Sequence, residues 1–131
     1  MDRAGVSYED CGAFKYDKND DYTDFSHAVA KKVAENPEAS KGILLCGSGR
    51  GVDIVANKVR NAYSVLVWND KELAFDEKAN VLSLPADFLS ENEATAITKK
   101  FLEAVFPLPE RKERDERRME KIKKIEDEHF K

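Results

Sequence analysis

The sequence predicts an α/β protein, a three-layer α/β/α sandwich in which helices cover both faces of a mainly parallel sheet. Short apolar runs alternate along the chain with segments of helical periodicity, which is typical of strands connected through helices. The apolar run 42–46 ends at a glycine-rich turn that a helical pattern follows, as in sheets that bind ligands at their strand ends. A heavily charged segment after residue 109 predicts one further helix. The expected sheet is therefore Rossmann-like, with a charged C-terminal helix added to it.

The first part of the chain predicts one short strand and one helix. Residues 6–11 are expected to form the strand, and the polar residues 12–21 a turn-rich loop. Apolar residues at helical spacing follow the loop. Thr23 or Asp24 is the expected N-cap of this helix, and Asn36 with the proline after it is the expected end.

The middle of the chain predicts three more strands. Residues 42–46 and 80–84 are apolar runs of strand length, and residues 62–68 are apolar enough to be covered on both faces. A helix is expected over residues 52–58. Residues 69–78 leave room for about two helical turns at most.

The last part of the chain predicts two helices. Ser90 and Glu93 have the spacing of a capping box, in which each side chain bonds the backbone N–H of the other residue. Pro107 and Pro109 end the amphipathic helix that begins there. The charged helix that follows has an apolar stripe, made of Met119, Ile122 and Ile125.

Composition limits the possible functions of the chain. Its 131 residues suit one domain, in which we interpret 1–108 as the α/β part and 109–131 as a helical tail in the same domain or at a dimer interface. The net charge of −4, with basic residues interspersed among acidic ones, predicts no nucleic-acid partner. Without a membrane-length apolar segment or a signal pattern, we expect a cytoplasmic protein with no membrane partner. Two histidines and two cysteines form no metal-binding pattern, and both cysteines are expected to be reduced thiols.

Cys46 ends a predicted strand and precedes a turn that contains Gly47, Gly49 and Gly51. Glycines let backbone N–H groups face an anion without a Cβ in the way, and the predicted helix adds its positive end. A cysteine in such surroundings has the features of a reactive thiol. The turn therefore predicts an anion site that contains a nucleophile or a base. The alternative is a tight strand-to-helix turn with an inert buried cysteine.

Three known chemistries of such turns do not fit this sequence. A Walker loop needs lysine and a hydroxyl residue after its last glycine, where this chain has Val52 and Asp53. The dinucleotide-binding fingerprint needs a different spacing of its third glycine. A cysteine-dependent phosphatase needs an arginine six residues after the thiol, at the position of Val52, and Arg50 comes too early.

The glycine turn and three further motifs give a family resemblance. Residues 21–25 read Asp-Tyr-Thr-Asp-Phe, and residues 80–82 read Asn-Val-Leu. Arg114 and Arg118 stand one helical turn apart and so share one face. Together with the turn at Cys46, these motifs resemble the family of ribose-5-phosphate isomerase B and galactose-6-phosphate isomerase.

The resemblance, which extends from about residue 9 to residue 122, implies aldose–ketose interconversion of a sugar phosphate without a metal or an organic cofactor. By the same resemblance, Cys46 is the base that moves a proton between C1 and C2, the amides of residues 47–51 hold the enediolate, and Ser48 lies beside the thiol. The residues implied to bind the substrate are Tyr22, Gly47, Gly49, Gly51, Asn80, Arg114 and Arg118. Two plainer alternatives are that the arginines belong to a solvated charged helix and that the tyrosine only packs its loop.

The chain departs from the resembled family in two segments. The family begins with a strand that ends in Asp-His-Ala-Gly and with a helix, whereas residues 2–5 read Asp-Arg-Ala-Gly and come shortly before the next strand. In the family that first strand lies between the next two, so we expect these to close together or to leave unpaired edges. Asp76, Glu77 and Lys78 stand where the family usually has a His-Asn pair. We therefore expect little or no isomerase activity. We also expect low stability or aggregation unless a partner segment fills the place of the strand.

Two functions compete for this sequence. The first is a sugar-phosphate isomerase that acts as a homodimer, because the apolar stripe of the last helix has no sheet to cover and, in the family, this tail brings arginines to the neighbouring subunit. The second is a non-catalytic dimeric relative that binds a sugar phosphate or only a protein partner. A thiol redox role comes third, because no second cysteine stands near Cys46 in the sequence.

Overall fold

A three-stranded parallel sheet forms the centre of the fold in the computed structural model, which describes residues 6–69, 71 and 78–130. The strands are β1 (Gly42–Cys46), β2 (Ser64–Leu66) and β3 (Val81–Pro85), with β3 between the other two. The helices are α1 (Tyr22–Glu35), α2 (Arg50–Ala56), α3 (Glu91–Glu103) and α4 (Lys112–His129), with a short 3₁₀ turn at Pro109–Arg111. This alternation confirms the predicted α/β fold class.

Two apolar clusters, one on each face of the sheet, create the three layers. On one face, Val33 of α1 and Val52 of α2 pack with Leu44 of β1. On the other face, Phe101 of α3 packs with Leu82 of β3. Burying a phenylalanine of this kind contributes about 2–3 kcal/mol. All residues of β3 are buried, because the strand has a neighbour on each side and helices above and below.

The sequence predicted the N-cap of one helix correctly and that of another wrongly. The capping box of α3 is confirmed: Ser90 Oγ accepts the Glu93 N–H at 3.1 Å, and Glu93 Oε1 accepts the Ser90 N–H at 3.0 Å. These bonds hold the pKa of the Glu93 carboxyl below its usual value. The N-cap of α1 is Asp21, so the predicted caps Thr23 and Asp24 are wrong and lie within the first turn.

Residues 6–11 do not form the predicted strand. They lie outside the sheet and pair with no strand in the described part of the chain. A cavity of about 990 Å³ lies between this segment and β1, with α1 along one side. An extended segment becomes a strand only when a neighbour accepts and donates its backbone hydrogen bonds, and the cavity separates residues 6–11 from the edge of β1.

The edge of β1 that faces this cavity pairs with no strand among the residues that the structure describes. The Gly42 N–H and the Cys46 carbonyl both bond to the β3 side at 2.8 Å, so alternate residues of β1 are used by β3. The residues between them, Ile43 and Leu45, direct their N–H and C=O groups towards the cavity. A five-residue strand occupies roughly 800 Å³ at the usual strand and layer spacings, which is comparable with the cavity. The described part of the chain therefore leaves this edge of β1 without a neighbouring strand, in line with the expected unpaired edge.

We expect the backbone amides of β1 to alternate in hydrogen exchange. The Leu44 N–H bonds to β3, whereas the Ile43 and Leu45 N–H groups face the cavity and should exchange at least about tenfold faster. Residue-resolved exchange by NMR measures this difference, with the Leu82 and Leu84 amides of β3 as protected controls. Equal protection of all three β1 amides would contradict an open edge.

Helix α4 packs across the amino edge of the sheet, where the strands begin. Glu126 is buried and accepts the Asn61 N–H and the Tyr63 O–H, each at 3.2 Å. Lys123 Nζ donates to the same carboxylate at 3.3 Å. Burial and the neighbouring Glu126 raise the pKa of Tyr63 to about 12, so its hydroxyl remains a donor at neutral pH. The predicted charged C-terminal helix is thus present and is anchored to its own sheet.

The apolar stripe predicted on α4 is divided between two surroundings. Met119 faces the sheet, where its sulfur accepts the Lys78 N–H at 3.4 Å. Ile122 and Ile125 are 41% and 59% exposed. Among the described residues, Met119 therefore packs against its own chain, whereas Ile122 and Ile125 remain largely exposed.

Three expectations concern residues that the structure does not describe. The motif at residues 2–5 and the acidic pair Asp76 and Glu77 lie outside the described residues, as does most of the short helix expected over 69–78. Among the described helices, none combines the length and the apolar character that crossing a membrane requires.

Candidate active site

The chain turns sharply at the end of β1, and we call residues 46–51 the glycine corner. Cys46 Sγ accepts the Gly49 N–H at 3.2 Å, which holds the sulfur inside the turn. Gly49 has a φ of +74°, and a Cβ there would lie 2.6 Å from Leu66 Cδ1 and 3.0 Å from the Leu84 backbone carbon. Glycine is therefore required both by the left-handed backbone and by the close approach of β2 and β3.

Three backbone N–H groups of the glycine corner are available to a ligand. Those of Gly47, Ser48 and Gly51 make no hydrogen bond within the described part of the chain. The Arg50 N–H differs, because it donates to Ser48 Oγ at 3.3 Å. Unpaired backbone donors on one short turn suit an oxygen that carries or develops negative charge. The predicted residues Cys46, Ser48 and the three glycines therefore lie together.

Tyr22, the first residue of α1, lies against Gly51. A Cβ on Gly51 would be 2.7 Å from the Tyr22 hydroxyl oxygen, so the ring depends on the glycine for its space. Helices α1 and α2 pack side by side, and this packing brings the phenol to the corner. The structure thus places a half-exposed tyrosine as one wall of the candidate site.

Asp87 is a residue of this site that the sequence analysis missed. The Ala86 N–H donates to the Cys46 carbonyl at 2.8 Å, and the Asp87 N–H donates to the Gly47 carbonyl at 3.0 Å. The carboxylate lies over Gly47, since a Cβ there would be 2.6 Å from Asp87 Oδ2. A polar residue shortly after a predicted strand was the signal that could have found it.

Trp68 and Phe88 form an aromatic pair at the same edge of the sheet. They follow β2 and β3, and their ring centroids are 5.0 Å apart with a tilt of 46°. The two side chains are 38% and 60% exposed. Large exposed rings next to a polar corner are typical of the lining of small-molecule sites.

Asn80 lies away from the glycine corner of its own chain, and its expected contact with the substrate stays a prediction. It immediately precedes β3, whose first residue pairs with the first residue of β1, so about 15 Å of strand separates it from Cys46. Its side chain accepts the Tyr63 N–H at 2.8 Å and donates to the Asn61 carbonyl at 2.9 Å. Asn80 therefore closes the amino edge of the sheet.

Arg114 and Arg118 are not at the glycine corner of their own chain either. They belong to α4, whose contacts with the sheet lie at the amino edge. Arg114 Nε lies 3.0 Å from Asp115 Oδ1, and Asp115 is buried. No hydrogen bond or ion pair joins either arginine to the corner within the described residues. That these arginines bind phosphate at the site of a neighbouring subunit stays a prediction.

Replacing Gly49 by alanine should lower the free energy of unfolding by about 2–4 kcal/mol, because the methyl group forces a left-handed φ and overlaps Leu66 and Leu84. Urea unfolding measures the loss. Gly51→Ala is the matched control, since its methyl group meets only the Tyr22 ring, which can turn away, and it should cost less than about 1 kcal/mol. Equal losses would contradict the special geometry of Gly49.

Fold and site together define a class of protein. It is an α/β protein with a parallel sheet, and the carboxyl edge of the sheet carries a thiol within a group of free backbone amides. The sequence profile of the ribose/galactose isomerase family matches residues 1–122. The chain therefore belongs to this family.

Named relatives agree with this assignment. The chain is similar to the probable ribose-5-phosphate isomerase B of Mycoplasma genitalium, with 40% identity over 122 residues that cover 91% of this chain and 78% of the relative. It is also similar to ribose-5-phosphate isomerase B of Mycobacterium tuberculosis, with 35% identity over 108 residues that cover 80% and 66%. The relatives identify the chain as a sugar-phosphate isomerase of the ribose-5-phosphate isomerase B type.

Solved structures confirm the fold. Ribose-5-phosphate isomerase B from Mycoplasma genitalium with bound ribulose-5-phosphate matches with a TM-score of 0.89 and 38% identity, over 97% of this chain and 83% of that chain. The corresponding protein of Clostridium thermocellum matches with a TM-score of 0.85 and 29% identity, over 98% and 84%.

Proposed function

We propose that the chain interconverts a phosphorylated aldose and its ketose, with Cys46 as the base. The observation that carries this proposal is the Cys46 sulfur, held 3.2 Å from the Gly49 nitrogen among the free amides of the glycine corner. Family membership supplies the class of reaction. The ribulose-5-phosphate bound to the Mycoplasma genitalium protein favours a five-carbon substrate.

The proposed reaction moves one hydrogen between neighbouring carbons. The Cys46 thiolate takes the proton from the carbon next to the carbonyl, and the electron pair left behind forms an enediolate. The thiol then returns the proton to the other carbon, which regenerates the thiolate without any co-reactant. The N–H groups of Gly47, Ser48 and Gly51 face the oxygen that becomes negative, and loss of one such donor typically costs about 100-fold in rate.

A second proton must pass between the two oxygens, and we assign this transfer to Ser48. Its Oγ accepts the Arg50 N–H at 3.3 Å, which leaves its own hydrogen free to donate. A hydroxyl that accepts and donates at once can receive a proton from one oxygen and give another to the next. The Tyr22 hydroxyl, beside Gly51, forms the wall against which the sugar is held.

The phosphate group is held, in this proposal, by Arg114 and Arg118 of the partner subunit in a homodimer. Guanidinium groups match phosphate oxygens in charge and geometry. In its own chain the pair lies on a helix at the opposite edge from Cys46. The exposed Ile122 and Ile125 on the same helix supply apolar surface for the contact between subunits.

We also propose a cytoplasmic location. The proposed chemistry depends on a free thiol, and Cys11 and Cys46 are both unpaired cysteines. Reducing compartments keep such thiols available.

Replacing Cys46 by alanine should lower kcat about 100-fold to 10,000-fold, the usual contribution of a positioned base. NMR of ribose 5-phosphate at high enzyme concentration detects even the low turnover expected of this chain. Cys11→Ala is the matched control and should keep the wild-type rate. Unchanged turnover in Cys46→Ala would exclude the proposed base.

The same samples separate the isomerase from a non-catalytic relative. Trp68 lies at the edge of the candidate site, so its fluorescence reports binding of ribose 5-phosphate independently of turnover. Binding without any turnover in the wild-type protein would establish a sugar-phosphate-binding relative. The paired Arg114 is the feature that favours this second function, because Asp115 already engages its guanidinium.

Mixing two inactive variants tests the shared site. Cys46→Ala and the double variant Arg114→Ala/Arg118→Ala should each be inactive alone. If each site takes its thiol from one subunit and its arginines from the other, mixed dimers contain one complete site. An equal mixture should then recover about one quarter of the wild-type activity, as two-fold symmetry requires. No recovery, in samples shown by native mass spectrometry to exchange subunits, would place both groups in one chain.

A further inference from the structure

We propose that Asp87 decides which end of a sugar phosphate enters the glycine corner. Its carboxylate accepts hydrogen bonds from the hydroxyl end of the sugar and repels the phosphate end. This inference rests on the function proposed above and adds to it a specificity-determining residue.

The glycine corner alone does not distinguish the two ends of such a substrate. The free N–H groups of Gly47, Ser48 and Gly51 suit any negative oxygen, whether it belongs to an enediolate or to a phosphate. A substrate with its phosphate at Cys46 is unproductive, because the C–H bond that must break is then out of reach. The proposed arginine pair attracts the phosphate to the far end of the site, and a group at the corner that disfavours phosphate adds to this selection.

Asp87 has the position that this task requires. Its own N–H and that of Ala86 bond to the carbonyls of Gly47 and Cys46 at 3.0 Å and 2.8 Å, so the backbone is fixed to the corner without using the carboxylate. The carboxylate lies over Gly47. It has no hydrogen-bond or ion-pair partner within residues 6–69, 71 and 78–130, so its charge acts on whatever occupies the corner.

The two ends of the substrate differ in charge and in the hydrogens they offer. A phosphate monoester carries nearly two negative charges at neutral pH and presents only acceptors. The sugar end is neutral before reaction, and the enediolate carries one charge while its neighbouring hydroxyls still donate. A carboxylate therefore penalises the phosphate most, and it offsets part of its repulsion of the enediolate by accepting hydrogen bonds.

The aromatic pair beside Asp87 strengthens this discrimination. Phe88 follows Asp87 directly, and its ring contacts Trp68 with 5.0 Å between centroids. Charges next to apolar surface interact more strongly than charges in open water. Trp68 is also the one tryptophan of the chain, so its fluorescence reports on this edge alone.

Titration of Trp68 fluorescence with inorganic phosphate tests the inference directly. Asp87→Asn keeps the size and an acceptor oxygen but removes the charge, and it should bind phosphate about fivefold to tenfold more tightly than the wild type. Glu35→Gln is the matched control, because it removes one exposed negative charge at the far end of α1 and should leave phosphate affinity unchanged. The comparison of Asp87→Asn with the unchanged Asp87 is repeated in proteins that also carry Arg114→Ala and Arg118→Ala. In these proteins phosphate bound at the arginines no longer contributes to the signal. Equal affinities in Asp87→Asn and the wild type would overturn the proposal.

Turnover of ribose 5-phosphate provides the second measurement. Asp87→Asn should lower kcat while KM stays the same or falls, because inverted substrate competes with productive substrate, and phosphate should inhibit it more strongly. Asp87→Ala, which also loses the acceptor, should have a higher KM than Asp87→Asn. A fall in kcat without tighter phosphate binding would overturn the selection role. If the wild type shows no turnover while the phosphate titration responds as expected, the proposed function fails and the charge selection by Asp87 stands.

Discussion

The pairing of β3 with β1 on one side and β2 on the other determines where every other part of the molecule lies. β3 is buried at each residue and gives alternate backbone groups to its two neighbours. Because all three strands are parallel, their carboxyl ends meet at one edge and their amino ends at the other. Cys46 and Asp87 therefore share an edge, whereas Asn80 must lie at the opposite one. The direction of the strands therefore determines which residues can meet at the candidate site, whatever their side chains are.

The glycine corner has free donors because it is too tight to pair them. Gly49 lies close to β2 and β3 and has a left-handed backbone. In this turn the Gly49 N–H donates to the Cys46 sulfur. The N–H groups of Gly47, Ser48 and Gly51 are left without acceptors in the described part of the chain, whereas that of Arg50 donates to Ser48 Oγ. Unpaired donors would be costly in the interior, but they are tolerated at an edge that water or a ligand can reach. The same backbone geometry thus supplies the position of the thiol and the donors around it.

Several features that depend on neighbours in the sequence were predicted well, although the N-cap of α1 was not. The strand β1 has the predicted bounds, and the capping box of Ser90 and Glu93 forms as expected, because both follow from local patterns. Residues 6–11 failed as a strand because strand formation needs a partner in space. The family motif identified Asn80 without revealing which edge it occupies. Asp87 was missed because only strand pairing shows that the residues after β3 bond to the corner.

The anchoring of α4 keeps Arg114 and Arg118 away from the glycine corner of their own chain. The buried Glu126 carboxylate takes donors from Asn61, Tyr63 and Lys123, and a buried charge that loses such partners typically costs about 3–5 kcal/mol. Helix α4 is therefore held at the amino edge and does not fold over its own glycine corner. No residue of α4 lines the cavity beside β1, so this helix does not cover that edge of its own sheet. Arg114 and Arg118 on α4 and the cavity-facing edge of β1 therefore lie at different surfaces of the same small sheet.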